Sequence, residues 1–285
     1  MSQSFKELVD SPDMRHVLGI SGGKDSAALA IYIKENYPEI HNKVEYFFSD
    51  TGAELTEAYE FLDKLEAYLG KEIVKLSSGR DFDHHLKMHN GLLPSPQIRW
   101  CTREMKIKPF EDFVGTDNVV SYVGIRADEF RDGYQAGGKT NIVPVFPFIE
   151  DGLVRDDIFK LLEDTIGIPE YYRWRSRSGC YFCFFQRQDE WLGLKENHPH
   201  LFELAKEYET RERTKFNWRD GEVATGGVGY TWSQSGNLDE IVEKARIKRE
   251  KQTEEGVISS DRWQDVLKAS DDDDQEDQAC IICSL

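Results

Sequence analysis

The sequence predicts an α/β fold: a parallel sheet flanked by helices, followed by a mostly helical C-terminal part that carries cysteines. Three observations predict it. The apolar run His16 to Ile20 breaks at Ser21-Gly22-Gly23 and continues as the helical pattern Ala27 to Ile33, a strand–loop–helix unit. Short apolar runs then alternate with helical periodicity as far as Ile125, as βαβ units require. After residue 190 the patterns turn helical.

In chain order, the second strand is Val44 to Phe48, ending at Ser49-Asp50-Thr51-Gly52. A helix follows from Glu54 to Leu69, with Leu55, Tyr59, Leu62, Leu65 and Leu69 near the i, i+3/i+4 spacing. Ile73 to Leu76 and Asn118 to Ile125 are further strands. Trp191 to Tyr208 and Leu238 to Lys251 are amphipathic helices, and the glycine-rich break Gly226 to Tyr230 is a turn that positions Trp232. The expected divisions are an α/β nucleotide-binding domain over 1–150, a cysteine-bearing helical region over 151–235, a helical extension over 236–269 and an acidic tail over 270–285. Ligands of such sheets bind beyond the carboxyl ends of the strands. Ser21, Asp50 and Arg126 each follow such an end, so they are expected to share one crevice.

Composition narrows the function classes. The chain has 285 residues, 39% hydrophobic and 31% charged, which fits a globular protein. No apolar run approaches a membrane span, and Met1 to Asp10 has no signal core, so a cytoplasmic location is expected. The net charge of −17 is opposite to that of a free-standing nucleic-acid binder. A nucleic-acid substrate would need a local basic groove or a partner protein to hold it.

The loop Ser21-Gly22-Gly23-Lys24-Asp25-Ser26 carries the strongest chemical signal. Helix N-terminal N–H groups lack intrahelical acceptors and sit at the positive end of the helix dipole, so they suit a polyphosphate. Glycines let the backbone approach the anion; Lys24 adds a cation, and Ser21 and Ser26 add hydroxyl donors. The spacing is not that of a Walker A loop. Asp50-Thr51-Gly52 can hydrogen-bond a ribose, help hold Mg²⁺, or cap a helix; Asp25 likewise is a Mg²⁺ ligand, a helix cap, or both.

These residues resemble the SGGxDS loop of the PP-loop ATP pyrophosphatase family, whose members cleave ATP between the α and β phosphates and adenylate an acceptor. Arg99-Trp100-Cys101-Thr102-Arg103, with Lys106 and Lys108, and then Gly124-Ile125-Arg126-Ala127-Asp128, are similar to the phosphoadenosine phosphosulfate (PAPS) reductase branch, over most of residues 15 to 190. The resemblance implies ATP and Mg²⁺ as cofactors. Ser21 to Ser26 with Asp50, Thr51 and Gly52 would bind the nucleotide, and Lys24, Asp25 and Arg126 would be catalytic. True PAPS reductases commonly lack the complete loop, so the intact Lys24 and Asp25 favour ATP cleavage. Similar relatives include the sulfurtransferase of DNA phosphorothioation and the small subunit of sulfate adenylyltransferase. The expected function is adenylation of an acceptor in support of sulfur transfer, in nucleic-acid modification or anti-phage defence. The alternatives are a reductase or adenylyltransferase of sulfate assimilation, and an inert nucleotide-sensing subunit. A multi-protein complex or homo-oligomer is expected.

Five cysteines in such a chain read as metal or redox chemistry. Cys180 and Cys183 form a C-x-x-C pair, and Cys101 lies upstream. Related reductases hold a 4Fe–4S cluster on a similar long spacing, so Cys101, Cys180 and Cys183 are expected to hold such a cluster, with Zn²⁺ as the alternative. Cys280 and Cys283, beyond the acidic run Ser270 to Asp277, supply the missing ligand, act as a redox or sulfur-relay dithiol with Cys283 catalytic, or complete a four-cysteine zinc site. Arg173, Arg175, Arg177 and Arg187, interleaved with Tyr171, Tyr172 and Trp174, are either a phosphate-and-base surface or a packed surface loop. His84, His85 and His89 read as loop or helix surface.

Overall fold

The computed structural model describes residues 4–8, 13–129, 141–210, 214–216, 223–225 and 229–254. Five strands, β1 Arg15–Gly19, β2 Val44–Ser49, β3 Ile73–Leu76, β4 Val119–Tyr122 and β5 Ile142–Val145, form one sheet in the order β3-β2-β1-β4-β5. Every pairing is parallel. The chain leaves β1 toward β2 first and reaches its other neighbour, β4, later. That reversal opens a crevice at the carboxyl ends of β1 and β4.

Helices cover both faces, as a buried parallel sheet demands. Alternation along β1 shows it: Val17 packs with Phe47, Phe110, Val114 and Val119 on one face. Its neighbour Leu18 joins the opposite core with Ala27, Ile31, Leu62 and Tyr122. The helix after the loop, Lys24–Asn36, is buried at Ser26 to Ile31 and at Ile33. Its alanines let it lie close between the sheet and the helix Arg155–Glu163. It stops before Pro38, which disfavours helical φ/ψ in the residue ahead of it. The helix Thr56–Leu69 ends on Gly70 in the left-handed region, φ 69°.

A second, aromatic-rich core joins the C-terminal part to the carboxyl side of the sheet. Phe82, Trp100, Tyr171, Tyr172, Phe182, Trp191 and Trp232 meet there with Ala53, Leu55 and Ala58 from the segment after β2. Phe182 stacks on Trp232 with ring centroids 5.3 Å apart, and the Trp232 indole N–H donates to the Ala205 carbonyl at 2.9 Å. Trp232 is thus buried, while Gly226, Gly227 and Val228 of the turn expected to position it lie outside the described residues.

Several elements differ from expectation. The stretch Trp191 to Tyr208 is two helices, Gln188–Asn197 and Pro199–Thr210, because Pro199 forces His198 out of helical geometry, to φ −135° and ψ 63°. Strand β5 was not expected. It holds Pro144, which only an edge position tolerates readily. A short antiparallel pair, Thr214–Phe216 with Val223–Thr225, interrupts the helical C-terminal part. Among the described residues no helix is long and apolar enough to cross a membrane.

Candidate nucleotide site

The loop sits where β1 meets the crevice, and its own side chains set its shape. Gly22 has φ 74°, a conformation L side chains rarely adopt. The Ser26 hydroxyl accepts from the Ser21 N–H at 3.0 Å and lies 3.1 Å from the Ser21 hydroxyl. Ser26 is buried, so its hydroxyl holds the turn closed. Gly124, just past β4, brings the neighbouring strand against the helix terminus: a Cβ there would stand 3.0 Å from the Asp25 carbonyl oxygen.

The charged groups converge on Asp25. Lys24 Nζ lies 3.0 Å from one carboxylate oxygen, and an Arg126 guanidinium N–H donates to the other at 2.9 Å. Arg126 also pairs with Asp128 at 2.9 Å and Glu129 at 2.6 Å. Burial alone would raise the Asp25 carboxyl, but Lys24 and Arg126 overcome it and hold the group at about 2. Sequence reading named Lys24, Asp25 and Arg126 as catalytic candidates, and the ion pairs bring all three together.

On the other side of β1, Asp50 follows β2. It accepts from the Gly52 N–H at 2.8 Å and the Tyr59 hydroxyl at 2.7 Å. Glu54, buried and absent from the sequence-based set, accepts from the Thr51 hydroxyl at 2.7 Å and from the Ala53 N–H at 3.2 Å. Burial raises its carboxyl above the usual range, with the nearby Lys106 opposing.

The segment 171–183 closes over the loop from 150 residues away in sequence. The Tyr171 hydroxyl donates to the Gly22 carbonyl at 2.5 Å, and the Tyr172 hydroxyl accepts from the Lys24 N–H at 3.0 Å. The Ser178 hydroxyl reaches Ser21 at 3.4 Å. These three contacts escape sequence reading, since no spacing rule links a tyrosine to a loop so distant. Tyr172 also shows how the helix N-terminus is used: its phenol oxygen takes one of the amides that a phosphate oxygen would otherwise meet.

The basic–aromatic stretch is not one surface. Arg175 is 1% exposed and donates to the carbonyls of Gly179 and Cys180, at 3.2 and 2.9 Å. Tyr171 and Tyr172 are buried, Arg173 pairs with Glu170, and Arg187 pairs with Asp189. The stretch is instead a buttress that presents Cys180. The Tyr181 N–H donates to the Ala53 carbonyl at 2.8 Å, and Cys180 forms an isolated β-bridge with Glu54. The Cys183 N–H donates to the Cys180 carbonyl at 3.1 Å, closing a tight turn. Burial and the Glu54 carboxylate push the Cys180 thiol up to about 12.

Cys101, Cys180 and Cys183 are not joined by disulfides. Among the described residues no group of three or more His, Cys, Asp or Glu side chains is placed to hold a metal ion. Cys280 and Cys283 lie outside the described residues. His84 and His85 lie on the helix Phe82–Met88, and His89 follows it, stacked on Trp100 at 4.8 Å.

Comparison with known proteins agrees with this geometry. Residues 15–137 match the model of the phosphoadenosine phosphosulfate reductase domain. That match supports placing this part of the chain in the PAPS reductase-like branch of the PP-loop superfamily. The chain is 26% identical over 233 residues to an uncharacterised protein of Methanocaldococcus jannaschii, covering 77% of the chain and 46% of that protein. It is 28% identical over 144 residues to the tRNA-specific 2-thiouridylase MnmA of Lactobacillus gasseri, covering 47% of the chain and 36% of the relative. The chain spans about half the length of the first of these relatives. A crystal structure of PAPS reductase from Candida auris, in a phosphate complex, aligns with TM-score 0.42 and 14% identity over 57% of this chain and 79% of its own. The matched domain and the similarity to a 2-thiouridylase support a nucleotide-using function connected with sulfur.

Proposed function

We propose that this PP-loop protein binds ATP at Ser21 to Ser26, cleaves it between the α and β phosphates, and adenylates an acceptor as a step toward sulfur transfer. The observation that carries the reading is the intact Lys24–Asp25 pair, locked to Arg126 at the switch point of the sheet. Lys24 and Arg126 are the cations that would face the polyphosphate. Asp25, Asp128 and Glu129 pair with them. Three carboxylates against two cations leave the site one charge negative, so a polyphosphate needs a divalent cation to enter. Asp25 stays ionised to about pH 2 and, with Asp50, offers the oxygen ligands Mg²⁺ prefers. Bound Mg²⁺ would screen the phosphate charge; Lys24 and Arg126 would then stabilise the charge that develops on the departing pyrophosphate.

Tyr171, Tyr172 and Ser178, buried against the loop, would shield it from water, which would otherwise compete with the acceptor. The similarity to a tRNA 2-thiouridylase supports a nucleic-acid acceptor. The test follows α-labelled ATP in the presence of Mg²⁺ and candidate nucleic-acid acceptors. Wild-type protein should yield pyrophosphate with AMP or an adenylated acceptor, and Lys24→Ala should lose at least about a hundredfold of that activity, as removal of a transition-state cation does. Production of ADP and phosphate, or no ATP binding at millimolar concentration, would overturn the reading.

A further inference from the structure

A chain with net charge −17 needs a local basic surface before a polyanion can approach its crevice. Residues 71–108 supply one: eight Lys and Arg stand there against four Asp and Glu, with three histidines besides. Of these, Arg80 and Lys108, with His84, His85 and His89, line a half-open cleft of about 560 Å³. That volume suits a nucleotide-sized ligand. The cleft lies past the carboxyl end of β3, one strand beyond Asp50, whose N–H donates to the last β3 carbonyl, Leu76, at 2.8 Å. Ligands of parallel sheets bind at this edge.

The lining carries the chemistry of a nucleotide unit. Arg80 and Lys108 are exposed, and neither side chain has an acidic partner among the described residues. The His89 imidazole lies parallel to the Trp100 indole, with an interplanar angle of 12°, which holds its ring as a flat platform. Met88, 69% exposed, adds apolar surface beside it. Glu104 and Asp112 also line the cleft and supply acceptors for amino or hydroxyl groups. One wall is the π-helix Arg103–Ile107, a distortion that often marks functional positions.

We propose that this cleft binds a nucleotide unit of the acceptor, with phosphate on Arg80 and Lys108 and the base against His89. The proposal rests on the adenylation reading, because the cleft lies along the same carboxyl edge of the sheet as the proposed ATP site. The same chemistry can come from a free nucleotide or from a single strand, and the test separates them. Fluorescein-labelled dT10 is titrated by anisotropy against the full chain and its R80A/K108A variant, with TMP as competitor. Both substituted side chains are exposed, and circular dichroism checks that the variant keeps its fold. The wild type should bind, and the variant should bind about tenfold more weakly at low salt. The slope of log affinity against log salt should fall by about 0.7 in magnitude, the contribution of the one single-strand phosphate that Arg80 and Lys108 share. Competition by TMP at concentrations close to those of unlabelled dT10 assigns a free nucleotide; competition only at far higher concentration assigns a strand. Absence of dT10 and TMP binding, or binding and salt slope unchanged in the variant, overturns the proposal. Equilibrium dialysis with ATP on the same preparation keeps the two readings apart. ATP binding without dT10 or TMP binding sinks the cleft alone, whereas variant-sensitive dT10 binding without ATP binding sinks the ATP site alone.

Discussion

Replacing Gly23 by alanine tests whether segment 171–178 truly seals the nucleotide loop. Gly23 has φ −101° and ψ 170°, extended backbone open to any residue, so the substitution brings no conformational strain. The cost is steric. A Cβ at Gly23 would stand 2.6 Å from the Ser178 hydroxyl oxygen and 3.2 Å from the Ser178 Cβ. Overpacking of this kind costs about 1–3 kcal/mol. In a chain of this size each kcal/mol lowers Tm by about 2–4 °C. Rotation of the Ser178 hydroxyl relieves only the first contact, so Ser178→Ala should recover part of the loss and Ser178→Gly most of it. Urea melts of Gly23→Ala, Ser178→Gly and the double variant form a double-mutant cycle, with an expected coupling of about 1–2 kcal/mol. Additive effects, with Gly23→Ala costing the same in the Ser178→Gly background, would refute the packing of this segment on the loop.

Two further outcomes follow from the charges and thiols. Asp25 is held at about 2, below its ordinary 3.8, so its ion pairs stabilise the fold above pH 4, and that contribution disappears as pH falls toward 2. Acid titration of stability should therefore be shallower between pH 4 and 2 for Asp25→Asn than for the wild type; identical profiles would contradict the Lys24–Asp25–Arg126 network. Cys180, with its thiol pushed up to about 12, should resist iodoacetamide at pH 8 in the native protein and react once unfolded, as peptide mass spectrometry would show. Equal labelling in both states would remove Cys180 from its buried contact with Glu54.

The sequence by itself determined the fold class and the chemical heart of the site. A glycine loop between an apolar strand and an alanine-rich helix is a local pattern, and local patterns are legible because strand and helix periodicities belong to neighbouring residues. The same logic placed Ser21, Asp50 and Arg126 at strand ends, since a parallel sheet brings all its carboxyl ends to one edge. Short elements were harder: β5 is four residues long and contains a proline, and only its pairing with β4 makes it a strand. What only the tertiary structure decided is the far side of the site. Tyr171, Tyr172 and Ser178 reach the loop across some 150 residues, and Arg175 turns inward to hold Cys180 because the aromatic core buries its neighbours. The exposed cations Arg80 and Lys108 meet at a cleft past β3, whereas Arg175 is buried and Arg173 and Arg187 are paired with carboxylates. Composition shows which residues are cationic, but burial and pairing decide which of them still face water, and both arise from contacts between segments that sequence spacing does not record.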